Sequence, residues 1–230
     1  MKKHGELRAA FPITAPVLAG YLFLGIAFGV LMSSKGYGPL WSLGVSLFVY
    51  AGSMQFVAAG MLAAGFDPLG TVLMTLMVNA RHFFYGISML DKFHGTGKYK
   101  PYLIFALSDE TFSILSATEV PAGSDKGRFY FFIALLDQLY WVVGSALGGV
   151  FGSLIPFDTT GIDFVLTALF VVLFIGQWNQ THNHRPMLMG VGCAVACLVV
   201  FGADRFMIPA MLCILVCAGV FQKSMGEGME

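Results

Sequence analysis

Arg81 and His82 stand about twelve residues inside an apolar run at 69–90. An arginine keeps its proton in such surroundings, so it must face a carboxylate or an anionic ligand. The other apolar runs carry few polar groups that could meet it: Asp109, Glu110, Asp137 and the amide of Gln177. A second group of polar residues lies upstream, in Ala51-Gly52-Ser53-Met54-Gln55-Phe56, and Asn79 precedes Arg81 by two positions. A charged side chain in an apolar span costs roughly 2.5–3.5 kcal/mol on insertion scales, so these residues are expected to be partnered and functional.

The chemistry on offer is recognition of a substrate carboxylate. Backbone N–H groups freed at Gly52-Ser53, together with Arg81, suit a carboxylate. Asp109 or Glu110 suits an amino group or a proton, and Gln55, Asn79 and Gln177 complete the expected polar lining. His82 titrates near neutral pH, so it joins Asp109, Glu110 and Asp137 as candidates for proton coupling or ion pairing. Two blander readings stand beside these: an Arg81–carboxylate bridge that only ties two helices, and a packed His82. His182 and His184, next to Arg185, have a spacing too weak to argue a metal.

These residues must be positioned by helices in a membrane. The chain has 230 residues, 57% of them hydrophobic and 11% charged, and its mean hydropathy is +0.77. Soluble proteins carry about a quarter charged residues. Apolar windows of about 20 residues recur, each sufficient to cross about 30 Å of hydrocarbon. Backbone self-satisfaction makes them helices, and the alternating ten-residue segments of a barrel are absent. Thirteen basic residues balance thirteen acidic ones, which argues against nucleic acid as a partner.

The spans expected are 13–32, 40–64, 69–90, 102–118, 129–154, 164–178, 187–202 and 206–221. The first is read as an uncleaved helix with a cytoplasmic N-terminus, since Pro12 and Pro16 interrupt it and it outlasts a signal-peptide core. The second is either broken at 51–53 or continuous with small packing residues. The fourth, marginal in hydrophobicity, is a short or tilted helix. Eight spans with both termini inside would place Lys92, Lys98 and Lys100 outside, against the positive-inside rule, and a re-entrant segment would reverse that. The expectation is therefore an all-α polytopic bundle of seven or eight spans, one transmembrane domain over 1–230.

A displacement of 119 residues superposes Tyr21 on Tyr140, Gly25 on Gly144, Ala27 on Ala146, Gly29 on Gly148 and Ser34 on Ser153. It suggests two repeat halves, about 10–118 and 129–222, with interrupted segments near Gly52/Gln55 and Gly176/Gln177. The ridges Gly25/Gly29 and Gly144/Gly148/Gly152 suit either internal contacts or a partner-docking surface. Cys193, Cys197, Cys213 and Cys217 form two i,i+4 pairs. A structural metal site is conceivable from that geometry, but lipid-embedded thiols lack outer-shell partners, so packing is the role expected, with no metal and no cofactor. HExxH, GxSxG and GxGD patterns are absent, which argues against an enzyme.

In three pieces the sequence resembles the AzlC-like large subunits of branched-chain amino acid exporters: Ala51-Gly52-Ser53-Met54-Gln55-Phe56, Val78-Asn79-Ala80-Arg81-His82-Phe83-Phe84-Tyr85-Gly86, and Ser108-Asp109-Glu110-Thr111-Phe112. The second is the most specific, and the similarity in order extends to about Phe221. The resemblance implies a multi-pass secondary exporter of the bacterial inner membrane. It also implies substrates among small neutral amino acids, and a small AzlD-like membrane subunit as partner. The rivals are a non-transporting scaffold or assembly subunit, and a passive channel.

Overall fold

The computed structural model describes residues 5–65, 67–154, 183–202 and 206–220, with scattered positions between 164 and 179. Among the described residues every regular element is helical. In chain order they are α1 (Gly5–Ser34), α2 (Pro39–Phe48), α3 (Gly52–Ala64), α4 (Pro68–Ser88), α5 (Leu90–Phe93), a 3-10 turn (Gly97–Tyr99), α6 (Lys100–Phe105), α7 (Asp109–Ala117), α8 (Lys126–Leu154), α9 (Arg185–Phe201) and α10 (Met207–Val220). The chain divides into two compact units, Met1–Leu166 and Thr167–Glu230. The expected sixth span lies largely outside the described residues.

Among the described residues only α1 and α8, at 30 and 29 residues, are long and apolar enough by themselves to cross a membrane. Both belong to the first unit and pack backbone to backbone. A Cβ on Gly25 would stand 2.8 Å from the Trp141 carbonyl oxygen, and one on Gly29 would stand 2.2 Å from that of Ser145. In return, a Cβ on Gly144 or Gly148 would meet the carbonyl oxygens of Leu22 and Ile26 at 2.8 and 2.1 Å. Gly152 lies against Ser33, whose Oγ donates to the Gly149 carbonyl at 2.9 Å. The pairs 25/144, 29/148 and 33/152 advance together, so the helices run parallel. Both glycine ridges are thus internal contacts, of the small-residue kind that brings membrane helices together.

The segment at 40–64 is broken, and the break lies at 49–51. α2 has 10 residues and α3 has 13, roughly 15 and 20 Å at 1.5 Å per residue, so neither crosses alone. Tyr50 occupies the left-handed region with φ 41°, which costs a non-glycine residue about 1–2 kcal/mol. Burial of its ring beside Phe105 helps hold it there. Gly52 serves packing instead, since a Cβ there would lie 3.2 Å from the Trp141 ring.

The fourth segment is not one short helix but two, interrupted at 106–108. Ser108 caps α7, its Oγ accepting from the Thr111 N–H at 3.1 Å, and Asp109 and Glu110 fill the first turn, where the helix dipole favours them. At the other end of α7 the Lys92 ammonium donates to the carbonyls of Leu115, Ser116 and Thr118. Large apolar side chains such as Leu40, Phe48, Leu69, Leu76 and Phe83 stay exposed, as suits helices facing hydrocarbon.

Gly148→Leu should cost more than the roughly 1–3 kcal/mol of ordinary overpacking, because carbonyl backbone and not a side chain must yield. Gly44→Ala, in open space, should be neutral or slightly stabilising. Melting of both variants in detergent checks the pair.

Candidate functional site

The first turns of α3 and α7 converge on Arg81 of α4. The Arg81 Nη2 donates to Ser53 Oγ at 2.7 Å and lies 2.9 Å from Asp109 Oδ2. These side chains keep 28% and 18% of their surface open, so the pair is not sealed. Both contacts run through Nη2, whereas Arg81 Nε and the nearby-in-sequence Asn79 Oδ1 are buried without a hydrogen-bond partner. α3 has no side-chain cap, which leaves its early N–H groups for a ligand.

The three candidate carboxylates separate. Asp109 pairs with Arg81. Glu110 accepts from the Tyr21 hydroxyl at 2.6 Å, and that hydroxyl also lies 2.6 Å from Ser108 Oγ. Asp137, fully buried, accepts from Thr111 Oγ1 at 2.8 Å. A polar edge of α8 then reaches both helix breaks. Gln138 Nε2 donates to the Leu47 carbonyl at the end of α2, while its Oε1 accepts from the Tyr102 hydroxyl of α6. Trp141 Nε1 donates to Gln55 Oε1 at 2.7 Å.

The expected site residues therefore fall into groups. Ser53, Arg81 and Asp109 are brought together. Gln55 is fully buried, its amide engaged by Trp141 and Ser46, and Gly52 backs onto Trp141. His82 lies edge-on to Tyr85, with Nδ1 unpartnered. Gln177 lies outside the described residues. A cavity of about 300 Å³ adjoins this constellation in sequence, lined by His82, Gly86, Ile87, Lys100, Ile104 and Leu107 among others. It is almost wholly apolar, and Leu107 belongs to the second break. Tyr21, Ser108, Thr111, Gln138 and Trp141 were not among the expected site residues. Ser108-x-x-Thr111 at the head of an acidic turn is a capping signal that could have revealed the second break.

Residues 16–155 match the family described as AzlC protein. The chain belongs to that family. It is 54% identical over 216 residues to the "Branched-chain amino acid transport protein AzlC" of Bacillus subtilis, covering 94% of this chain and 85% of that protein. A Haemophilus influenzae chain described as an uncharacterized membrane protein is 44% identical, covering 89% and 84%. The "Inner membrane protein YgaZ" of Escherichia coli is 30% identical, covering 88% and 83%. No solved structure matches. The matched AzlC region ends with α8, so it contains Arg81, Asp109 and the whole bracing network.

Trp141→Phe should destabilise this AzlC-family chain by about 1–3 kcal/mol, because Gln55 Oε1 stays buried and loses its donor. A double-mutant cycle with Gln55→Leu, read by thermal melting in detergent, should show coupling of about 0.5–3 kcal/mol.

Proposed function

We propose that this protein is the large subunit of a two-component secondary exporter. It moves branched-chain or other small neutral amino acids out of the cell by ion-coupled alternating access, as a multi-pass protein of the bacterial inner membrane. Membership of the AzlC family and the transport role in a relative's name support the class. The observation that carries the mechanism is Arg81: a half-open ion pair with a spare donor, held between the first turns of two interrupted helices.

An amino acid zwitterion fits by exchange. Its carboxylate takes Arg81 Nε and the uncapped N–H groups of α3. Its ammonium takes Asp109, with Glu110 behind it, and its aliphatic tail enters the apolar cavity. One ion pair is replaced by two, so no charge is left buried and alone, which is the arrangement that costs most. Asn79 completes the lining, and His82, Glu110 and Asp137 are the candidates for the coupling proton. Gln55 and Gly52 act by holding the break.

The architecture in this reading is a single transmembrane domain of seven or eight spans with two repeat halves, about 10–118 and 129–222, related by the 119-residue offset. The reciprocal α1–α8 contact supports it, since Gly25 meets Trp141 as Gly144 meets Leu22, and Gly29 meets Ser145 as Gly148 meets Ile26. Because α1 and α8 run parallel, the opening helices of the two halves share one orientation, as in parallel-repeat transporters. A small AzlD-like subunit completes the exporter.

A scaffold role is the second reading, favoured by the fully engaged Gln55 and Gln138. Exchange of the pair separates the two. Efflux of labelled leucine and valine from dipeptide-loaded cells, with the small subunit co-expressed, should vanish in Arg81→Ala while the protein stays in the membrane. The Arg81→Asp/Asp109→Arg double variant should regain stability but not efflux. Normal efflux from Arg81→Ala would remove Arg81 from the site.

A further inference from the structure

The second unit carries its own constellation, independent of Arg81. All four cysteines of the chain lie on α9 and α10, two helices that pack against each other. The sulfur atoms of Cys193, Cys213 and Cys217 lie within 4.8 Å of one another, and those of Cys193 and Cys217 are 3.8 Å apart. Cys197, one turn beyond Cys193 and buried, neighbours Cys213.

We propose that Cys193, Cys213 and Cys217 form a site for a soft divalent d10 cation of the zinc(II) class. The spacing carries this. A zinc–sulfur bond of about 2.3 Å in a tetrahedron sets sulfur–sulfur edges of roughly 3.8 Å. The Cys193–Cys217 separation already has that length, and the wider contacts close by rotamer adjustment. An all-sulfur donor set without carboxylate or carbonyl selects soft ions over magnesium or calcium. Charge favours a divalent ion in this apolar helix pair: two thiolates neutralise it, and a third leaves only one net negative charge. Coordination releases one proton from each thiol that becomes a thiolate, with no electron transferred, so binding tightens as pH rises. The three thiols are only half-buried, which leaves them open to an arriving ion. This site departs from the packing role expected of the cysteines.

The test uses the full chain, purified in detergent with reductant and without metal, and titrated with cadmium(II) as a spectroscopic stand-in. The expected result is a sulfur-to-cadmium charge-transfer band saturating at one ion per chain, competed by zinc(II) and kept in Cys197→Ser. It should be lost in Cys193→Ser/Cys217→Ser. A second measurement needs no variant: zinc(II) should protect Cys193, Cys213 and Cys217 of the wild-type chain from alkylation, counted by mass spectrometry. No band with the folded wild-type chain, a band that survives the double variant, or zinc-independent alkylation would each overturn the proposal. So would recovery of a Cys193–Cys217 disulfide from protein that binds no cadmium.

Discussion

A helix interrupted inside hydrocarbon releases backbone groups that no water can satisfy. Among the described residues two helices are interrupted, and α8 answers both. Within little more than one turn it presents Asp137 to the first turn of α7, Gln138 to the last turn of α2 and to α6, and Trp141 to α3. These contacts fix where the first turns of α3 and α7 point, and Arg81 bridges those turns. The Arg81–Asp109 pair therefore rests on a polar edge whose hydrogen bonds go to other residues. Buried amides and an indole are costly when unpaired, so the network is an all-or-none construction.

The Arg81–Asp109 contact has a different character from that network. The bracing groups are deeply buried, whereas the ion pair retains open surface and a buried N–H without an acceptor. A purely structural bridge gains from closing both. An incomplete, partly open pair at the junction of two half-helices is what the proposed exchange with a zwitterion requires.

Much of this was legible in sequence, and the misses have physical causes. Buried charge without a visible partner marked Arg81 and its three candidate acids, since insertion cost is a property of composition. Which acid pairs with it was not legible, because Asp109, Glu110 and Asp137 differ only in the direction a first turn gives them. Gly52-Ser53 suited a break after α2 or a continuous helix equally, and the backbone turns at Tyr50. There, packing against Phe105 helps hold a conformation that local preference disfavours, while Gly52 admits an indole. The second break has no glycine or proline at 106–108, so only the Ser108 cap signalled it. Nothing local to Trp141 and Tyr21 signalled their hydrogen bonds, because these depend on partners about 90 residues away. Gln177 lies outside the described residues.

The contact between α1 and α8 has a consequence for motion. Packed helices ordinarily slide past one another by small shears, in which an intervening layer of side chains hops between rotamers. At Gly29 and Gly148 there is no such layer: backbone lies on backbone, with nothing able to repack. The two long helices therefore behave as one stiff beam. In the proposed alternating-access cycle, the parts that open and close around Arg81 are then the short interrupted pieces, swinging against that beam at Tyr50 on one side and Ala106–Ser108 on the other.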